Sequence, residues 1–382
     1  MLPKPWLSRL LNPLITPYQT GNLQSRLPLF AARSTSYRLT GLKRGIASHY
    51  GLVAVTATAE NPKHVPGRGA SIVTLLALTT IIPELFTGST PLIGFFNPGL
   101  LLFLFLGYGL AVLLIRELVV RSGAGLLGLF LLGLSYSILN EGLFAKTLIT
   151  QAHLPVALYD HYGVAFGISF PWMAGIGAWH ACASVIFPIL LTHYLLPEAK
   201  NKPWVSGKLA IILAVLLMLF ASAGFLGTSQ KGMKGTPVQL VVLLAIMLVG
   251  LILGALSKAQ VATTELRSAA KALLLGFSVL VPFWGLGFLA AAKVPVIAFF
   301  AAWLGVILLY GWILKRRRWL AVPGMLFFGL GWYLHNAFQA SVIVAFSGKD
   351  PARALVTAVV DGLIIFLLWR QIRRHTGLKH TS

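Results

Sequence analysis

The chain has 382 residues, of which 57% are hydrophobic and only 10% charged, against about 25% charged in an ordinary soluble domain. A net charge of +22 would suit nucleic acid, but the lysines and arginines sit in the turns between apolar runs, which excludes a basic nucleic-acid face. The single cysteine, Cys182, excludes an intramolecular disulfide and a thiolate cluster within one chain.

Residues 1–69 form a basic, Ser/Thr-containing extension with no acidic residue before Glu60. Its apolar stretch Leu10–Ile15 is too short and too broken by proline for a secretory h-region. Three readings stay open for it: a disordered extension or an upstream start, an organelle transit peptide, or a segment lying on the membrane surface.

From residue 70 the pattern changes. A helix of about 20 apolar residues covers the ~30 Å hydrocarbon core of a bilayer, and stretches near that length recur at 70–94, 97–115, 123–142, 168–195, 207–227, 237–257, 272–292, 294–314, 321–346 and 352–369. The expected fold is therefore all-α, a polytopic transmembrane bundle of about ten spans over residues 70–370. A basic tail, 371–382, follows. Only Ala292, Lys293 and Val294 separate 272–292 from 294–314, so these two read as a tight helical hairpin.

With both termini cytoplasmic, 25 of the 31 lysines and arginines fall on the inner side, as positive-inside bias requires. The outer side holds Lys146, Lys231, Lys234, Lys293, Lys349 and Arg353. The run Lys315–Arg318 reads as a topological anchor. Arg116-Glu117 with Arg121 reads as an interfacial salt bridge at the inner end of the second span. The expected location is a bacterial cytoplasmic membrane, or an organelle membrane if residues 1–69 are a transit segment.

Ionisable residues inside spans are costly and mark function by default. The candidates are Glu84, Glu141, His180, His335 (beside Asn336) and Asp361. At about 1.5 Å rise per residue, all five fall in the middle or outer half of their spans, which predicts one shared site open to the outside. Each also has a plainer reading. Glu141 can snorkel at the interface, His180 can bond a neighbouring helix, and His335-Asn336 with Asp361 can form a private structural pair. Pro83 breaks the helix beside Glu84 and predicts an interrupted helix end facing protein or a water-filled cavity.

No soluble-cofactor motif is present, and no cofactor is expected. The outer loop 145–167 carries His153 and Asp160-His161, but their spacing matches no compact ligand pattern and no metal site is assigned. The expected partner is the lipid bilayer; self-association is left open.

Three stretches together resemble uncharacterised multipass proteins of actinobacteria and related bacteria. These are Pro83-Glu84-Leu85-x-x-Gly88-x-x-Pro91, Leu114-Ile115-Arg116-Glu117-Leu118, and Leu134-Ser135-Tyr136-x-x-Leu139-Asn140-Glu141-Gly142-Leu143, with Trp179-His180-Ala181 and Phe187-Pro188 beyond them. The third stretch usually carries two glutamates there; here Asn140 replaces the first. The 39-residue spacing of Glu141 and His180 is also similar to the Glu-Glu-x-x-x-Arg and Phe-x-x-x-His elements of the CPBP intramembrane proteases. By that resemblance Glu141 would activate water, and His180 would orient it or stabilise the oxyanion. The chain departs from that pattern at Asn140, at Ala145 in the basic position and at Ile176 four before His180.

Two classes follow for the same residues. One is a membrane-embedded hydrolase with Glu141 or Glu84 as general base. The other is a proton- or ion-coupled transporter with Glu84, His180 and Asp361 as a relay. An uninterrupted apolar run from Val241 to Leu256 counts against an inverted repeat of the first span. A non-catalytic scaffold is the third reading.

Overall fold

The computed structural model describes residues 65–86, 90, 92–150, 159, 161–227, 234–258, 269–278, 281–317, 330–332, 334, 335, 359, 362, 363, 365–367 and 370. Six of its helices are long and apolar enough to cross a membrane: α1 (Arg68–Leu85), α2 (Pro98–Ser122), α3 (Leu126–Phe144), α4 (Phe170–His193), α5 (Gly207–Gly227) and α6 (Pro237–Leu256). Beyond them lie α7 (Ala269–Ser278), α8 (Val281–Ala291) and α9 (Val296–Arg317). The expected spans 321–346 and 352–369 lie largely outside the described residues, as do the terminal segments 1–64 and 371–382.

Local chemistry sets the helix ends. At α2, Asn97 Oδ1 accepts from the backbone N–H of Gly99 and Leu100 at 3.0 and 3.1 Å, and Pro98 follows at the first helical position. Thr236 and Gln239 form a reciprocal capping box at the start of α6, again with proline next. Gly123, at φ 66°, ends α2 in the left-handed region, and the chain reverses into α3 within three residues. The second span therefore runs through Arg116, Glu117 and Arg121 instead of stopping before them. A short hairpin, β1 (Val164–Ala165) with β2 (Ile168–Ser169), leads into α4.

The spans differ in what they face. In α3 and α4, 67% of the apolar window is buried, against 17% in α5 and α6. So α3 and α4 form the interior, while α5 and α6 present Ile211, Leu216, Leu219, Val241 and Leu248 outward, the arrangement lipid requires. Helix α3 is the hub, packed on α6 along one side and on α4 along another. Lipid gives apolar side chains no reason to cluster, so small residues that admit close backbone contact hold such helices together. A Cβ on Gly128 would lie 2.5 Å from the Gly254 carbonyl oxygen, and one on Gly133 would lie 2.5 Å from Ala181 Cα.

The Gly133 contact joins backbone to backbone and cannot be relieved by a rotamer change. Gly133→Val is expected to lower stability by about 1–3 kcal/mol and to separate α3 from α4. Thermal unfolding in detergent checks this; an unchanged melting temperature would show that the helices are held apart from this contact.

Four spans share an irregularity. Each of α1 to α4 contains a π-helical stretch: Ile82–Phe86, Phe105–Leu110, Ile138–Phe144 and Ala181–Ile186. Pro83 lies in the first and Pro188 just beyond the fourth, and each removes one i→i−4 bond. Gly107 and Gly109 lie in the second and Gly142 in the third. Such wide turns concentrate at functional sites.

Candidate functional site

The first π-helical stretch packs on the fourth and the second on the third, and most of the polar side chains at these junctions come from them or from their edges. Glu141 lies in the third, and His180 immediately precedes the fourth. His180 Nε2 lies 2.8 Å from Glu141 Oε1, and His180 Nδ1 lies 2.8 Å from Ser184 Oγ. An ionised carboxylate only accepts, so Nε2 carries the proton toward Glu141; in the neutral ring Nδ1 then accepts from the Ser184 hydroxyl. The second carboxylate oxygen of Glu141 accepts from the Thr147 hydroxyl, which in turn accepts from Trp172 Nε1 at 3.1 Å. His180 and Ser184 are fully enclosed, whereas the Glu141 side chain keeps 13% exposure. Glu141 and Thr147 are thus the partly exposed members of this hydrogen-bond chain.

Glu84 is held in the same neighbourhood by two hydroxyls. Tyr108 donates to its Oε1 at 2.6 Å and Thr90 to its Oε2 at 2.5 Å. It lies within Coulomb reach of both His180 and Glu141. Aromatic rings fill the space between. Tyr108 and Tyr136 flank His180 with ring centroids 6.1 and 5.7 Å away, and Trp179 meets the imidazole edge-on at 4.8 Å. Asn140 Nδ2 donates to the Tyr136 oxygen at 2.8 Å.

Of the residues singled out from the sequence, Glu84, Glu141 and His180 thus come together. His335 does not join them through its described contacts: it is buried against the Phe277 ring at 5.0 Å, with no hydrogen-bond partner on Nδ1. Asn336 and Asp361 lie outside the described residues, as do His153 and Asp160 of the loop. Among the described residues no group of three His, Cys, Asp or Glu could hold a metal ion.

Sequence reasoning missed Tyr108, Tyr136, Thr90, Thr147 and Ser184. Two of them carried a signal, since Tyr136 to Asn140 and His180 to Ser184 are both i, i+4 pairs on one helix face. Tyr108, Thr90 and Thr147 carried none, because uncharged hydroxyl residues are common in spans.

A second polar centre lies at the opposite end of α2. Arg116 is fully buried, and all five of its N–H donors are used. Nε donates to His193 Nε2, Nη1 to Glu117 and the Lys202 carbonyl, and Nη2 to the Ala199 and Lys200 carbonyls, at 2.7–3.1 Å. The guanidinium also lies 3.6 Å from the Trp204 ring centre, and Glu117 accepts from the Trp204 backbone N–H at 2.7 Å. Glu117 holds Arg121 as well, which donates onward to the Val205 carbonyl. No donor remains on Arg116 for a ligand. This centre is a clamp that ties segment 197–206 to α2, in keeping with the salt-bridge reading of these residues.

Lys146 does comparable work beside the first site. Its backbone adopts φ 57°, and its ammonium donates to the Gly224 and Phe225 carbonyls at the end of α5, at 3.2 and 3.0 Å. Burial, with Lys234 adding to it, holds this amine below the usual lysine range. Nearby, Tyr159 packs on Trp172 and Phe299, and burial pushes its phenol up to about 12. The packing this phenol supports is fully present below pH 10 and is lost as pH rises from 10 toward 12. Tyr159→Phe should therefore reduce the loss of thermal stability between pH 10 and 12; an unaltered slope would show that Tyr159 ionises freely in the folded protein.

No curated protein and no solved structure matches the chain. One family model does, over residues 73–328, a range that runs from within α1 through α9 and contains both polar centres. The chain belongs to an uncharacterized membrane protein family.

Proposed function

We propose that the protein is a membrane-embedded hydrolase in which Glu141 and His180 activate water. The observation that carries this reading is the 2.8 Å Glu141–His180 bond between two interior spans, backed by Ser184 on the far ring nitrogen. Ser184 is bonded to the ring nitrogen that faces away from Glu141, one turn further along the same helix, so it orients the imidazole and is not the nucleophile; Glu141 keeps partial exposure. Water adds to a carbonyl carbon while Glu141 accepts its proton. The C–N or C–O bond then breaks, and the departing amine or alkoxide takes that proton. His180 donates to Glu141 throughout, which holds the carboxylate in place. Glu84 supplies a second proton position within Coulomb reach. The positive-inside distribution supports placing this site toward the outer face. We assign no role to His335, Asn336 or Asp361.

The test uses purified full-length protein with a panel of fluorogenic hydrophobic peptide amides and esters. Hydrolysis by the wild type, lost in Glu141→Gln, supports the reading; a panel left intact by the wild type, or cleaved equally by the variant, contradicts it.

A second reading rests on a different observation. Two carboxylates and a histidine lie at interruptions of adjacent spans, and such broken helices also build proton-coupled transport sites. In that case wild-type proteoliposomes move protons under an imposed gradient, and Glu141→Gln does not.

A further inference from the structure

We propose that Tyr136, aimed by Asn140, is a catalytic residue that donates its phenolic hydrogen to the carbonyl oxygen under attack. The proposal rests on the hydrolase reading and adds the group that stabilises the developing negative charge.

Asn140 spends an amide hydrogen on the Tyr136 oxygen at 2.8 Å. That oxygen is therefore the acceptor in this bond, and the phenol's own hydrogen points elsewhere. Among the described residues nothing accepts it. Tyr108 is the contrast, because its hydrogen is already committed to Glu84 at 2.6 Å. The Tyr136 ring is only 2% exposed, and a buried donor without an acceptor costs free energy unless something else supplies one. Its surroundings are those of the reaction centre. The ring meets His180 edge-on, leans on Tyr108 at 5.9 Å, and lies within Coulomb reach of Glu84 and Glu141. Asn140 immediately precedes Glu141, so one helical turn carries both the base and the residue that aims the donor.

The position also gives Asn140 a purpose. A second glutamate there would accept the Tyr136 hydrogen and withdraw it from a ligand. An amide that donates to the phenol oxygen leaves the hydrogen available.

The step balances without any further reactant. As water adds, the C=O π electrons move onto oxygen, and Tyr136 O–H bonds to that oxygen without giving up its proton. When the tetrahedral centre collapses, the electrons return and the bond relaxes.

The experiment compares wild type, Tyr136→Phe and Asn140→Ala on the fluorogenic peptide amide that the wild type cleaves. Tyr136→Phe keeps the ring and is expected to lower kcat by about 10²-fold with KM changed less than threefold, the signature of an interaction made in the transition state. Asn140→Ala leaves the hydroxyl in place but unaimed and should lower kcat in the same direction, and it decides the matter if Tyr136→Phe does not fold. Unchanged kcat in both folded variants overturns the Tyr136 assignment while leaving the hydrolase reading intact. A wild type that cleaves no amide overturns both.

Discussion

Arg116→Ala is expected to lower stability by about 3–5 kcal/mol, the usual cost of breaking one partner out of a buried ion pair. The number follows from what is left behind. Five acceptors lose their donor together: the Glu117 carboxylate, His193 Nε2 and the carbonyls of Ala199, Lys200 and Lys202. Glu117 stays buried, with Arg121 as its remaining cationic partner. Lysine should not rescue, because one ammonium has three donors and no planar fork with which to meet this set. Thermal unfolding in detergent, read with protease cleavage near 197–206, checks the prediction. Near-wild-type stability in Arg116→Ala would mean that water reaches these carbonyls and that the clamp is a surface feature.

The second large effect concerns activity. Glu141→Gln and His180→Ala are each expected to reduce hydrolysis by about 10²–10⁴-fold, the range for a positioned acid–base group. Combined, they should cost little more than the worse of the two, because the pair works through one 2.8 Å bond. A double-mutant cycle on kcat/KM measures this. Fully multiplicative losses would mean that the two residues act separately. Glu141→Gln should not affect stability as Arg116→Ala does, since Glu141 retains some exposure and its neighbour Thr147.

Sequence and structure agree best where the physics is local. The span at 207–227 coincides with Gly207–Gly227, and that at 237–257 falls one residue from Pro237–Leu256, because an apolar run bounded by proline, glycine and polar caps has little freedom in its ends. The interrupted end near Pro83 was legible for the same reason. Over the stretch 272–292 the described helical residues are Ala269–Ser278 and Val281–Ala291. Arg116 was legible as a salt bridge, but not as a clamp, because the five acceptors come from residues more than 75 positions away and from one neighbour.

The site divides along similar lines. Glu84, Glu141 and His180 stood out as costly residues in apolar spans, and depth alone suggested that they meet. The close approach of the two helices that carry Glu141 and His180 rests on contacts such as Gly133 with Ala181, and a glycine among many in a span does not announce its partner. The π-helical turns were invisible for a related reason: a wide turn follows from how four helices accommodate one another, not from any one segment. Tyr136 showed in the sequence only as half of an i, i+4 pair with Asn140, a faint signal for an aromatic residue on a buried helix face.

The most direct test of the central claim, that Glu141 and His180 form a hydrolytic dyad, is one proteoliposome experiment with two readouts. Wild type and Glu141→Gln are reconstituted with the fluorogenic peptide amide in the bilayer and a pH-sensitive dye in the lumen. The account predicts product release by the wild type alone, with no Glu141-dependent proton movement in the absence of substrate. Proton flux that needs Glu141 without any product would contradict it and assign the same residues to transport.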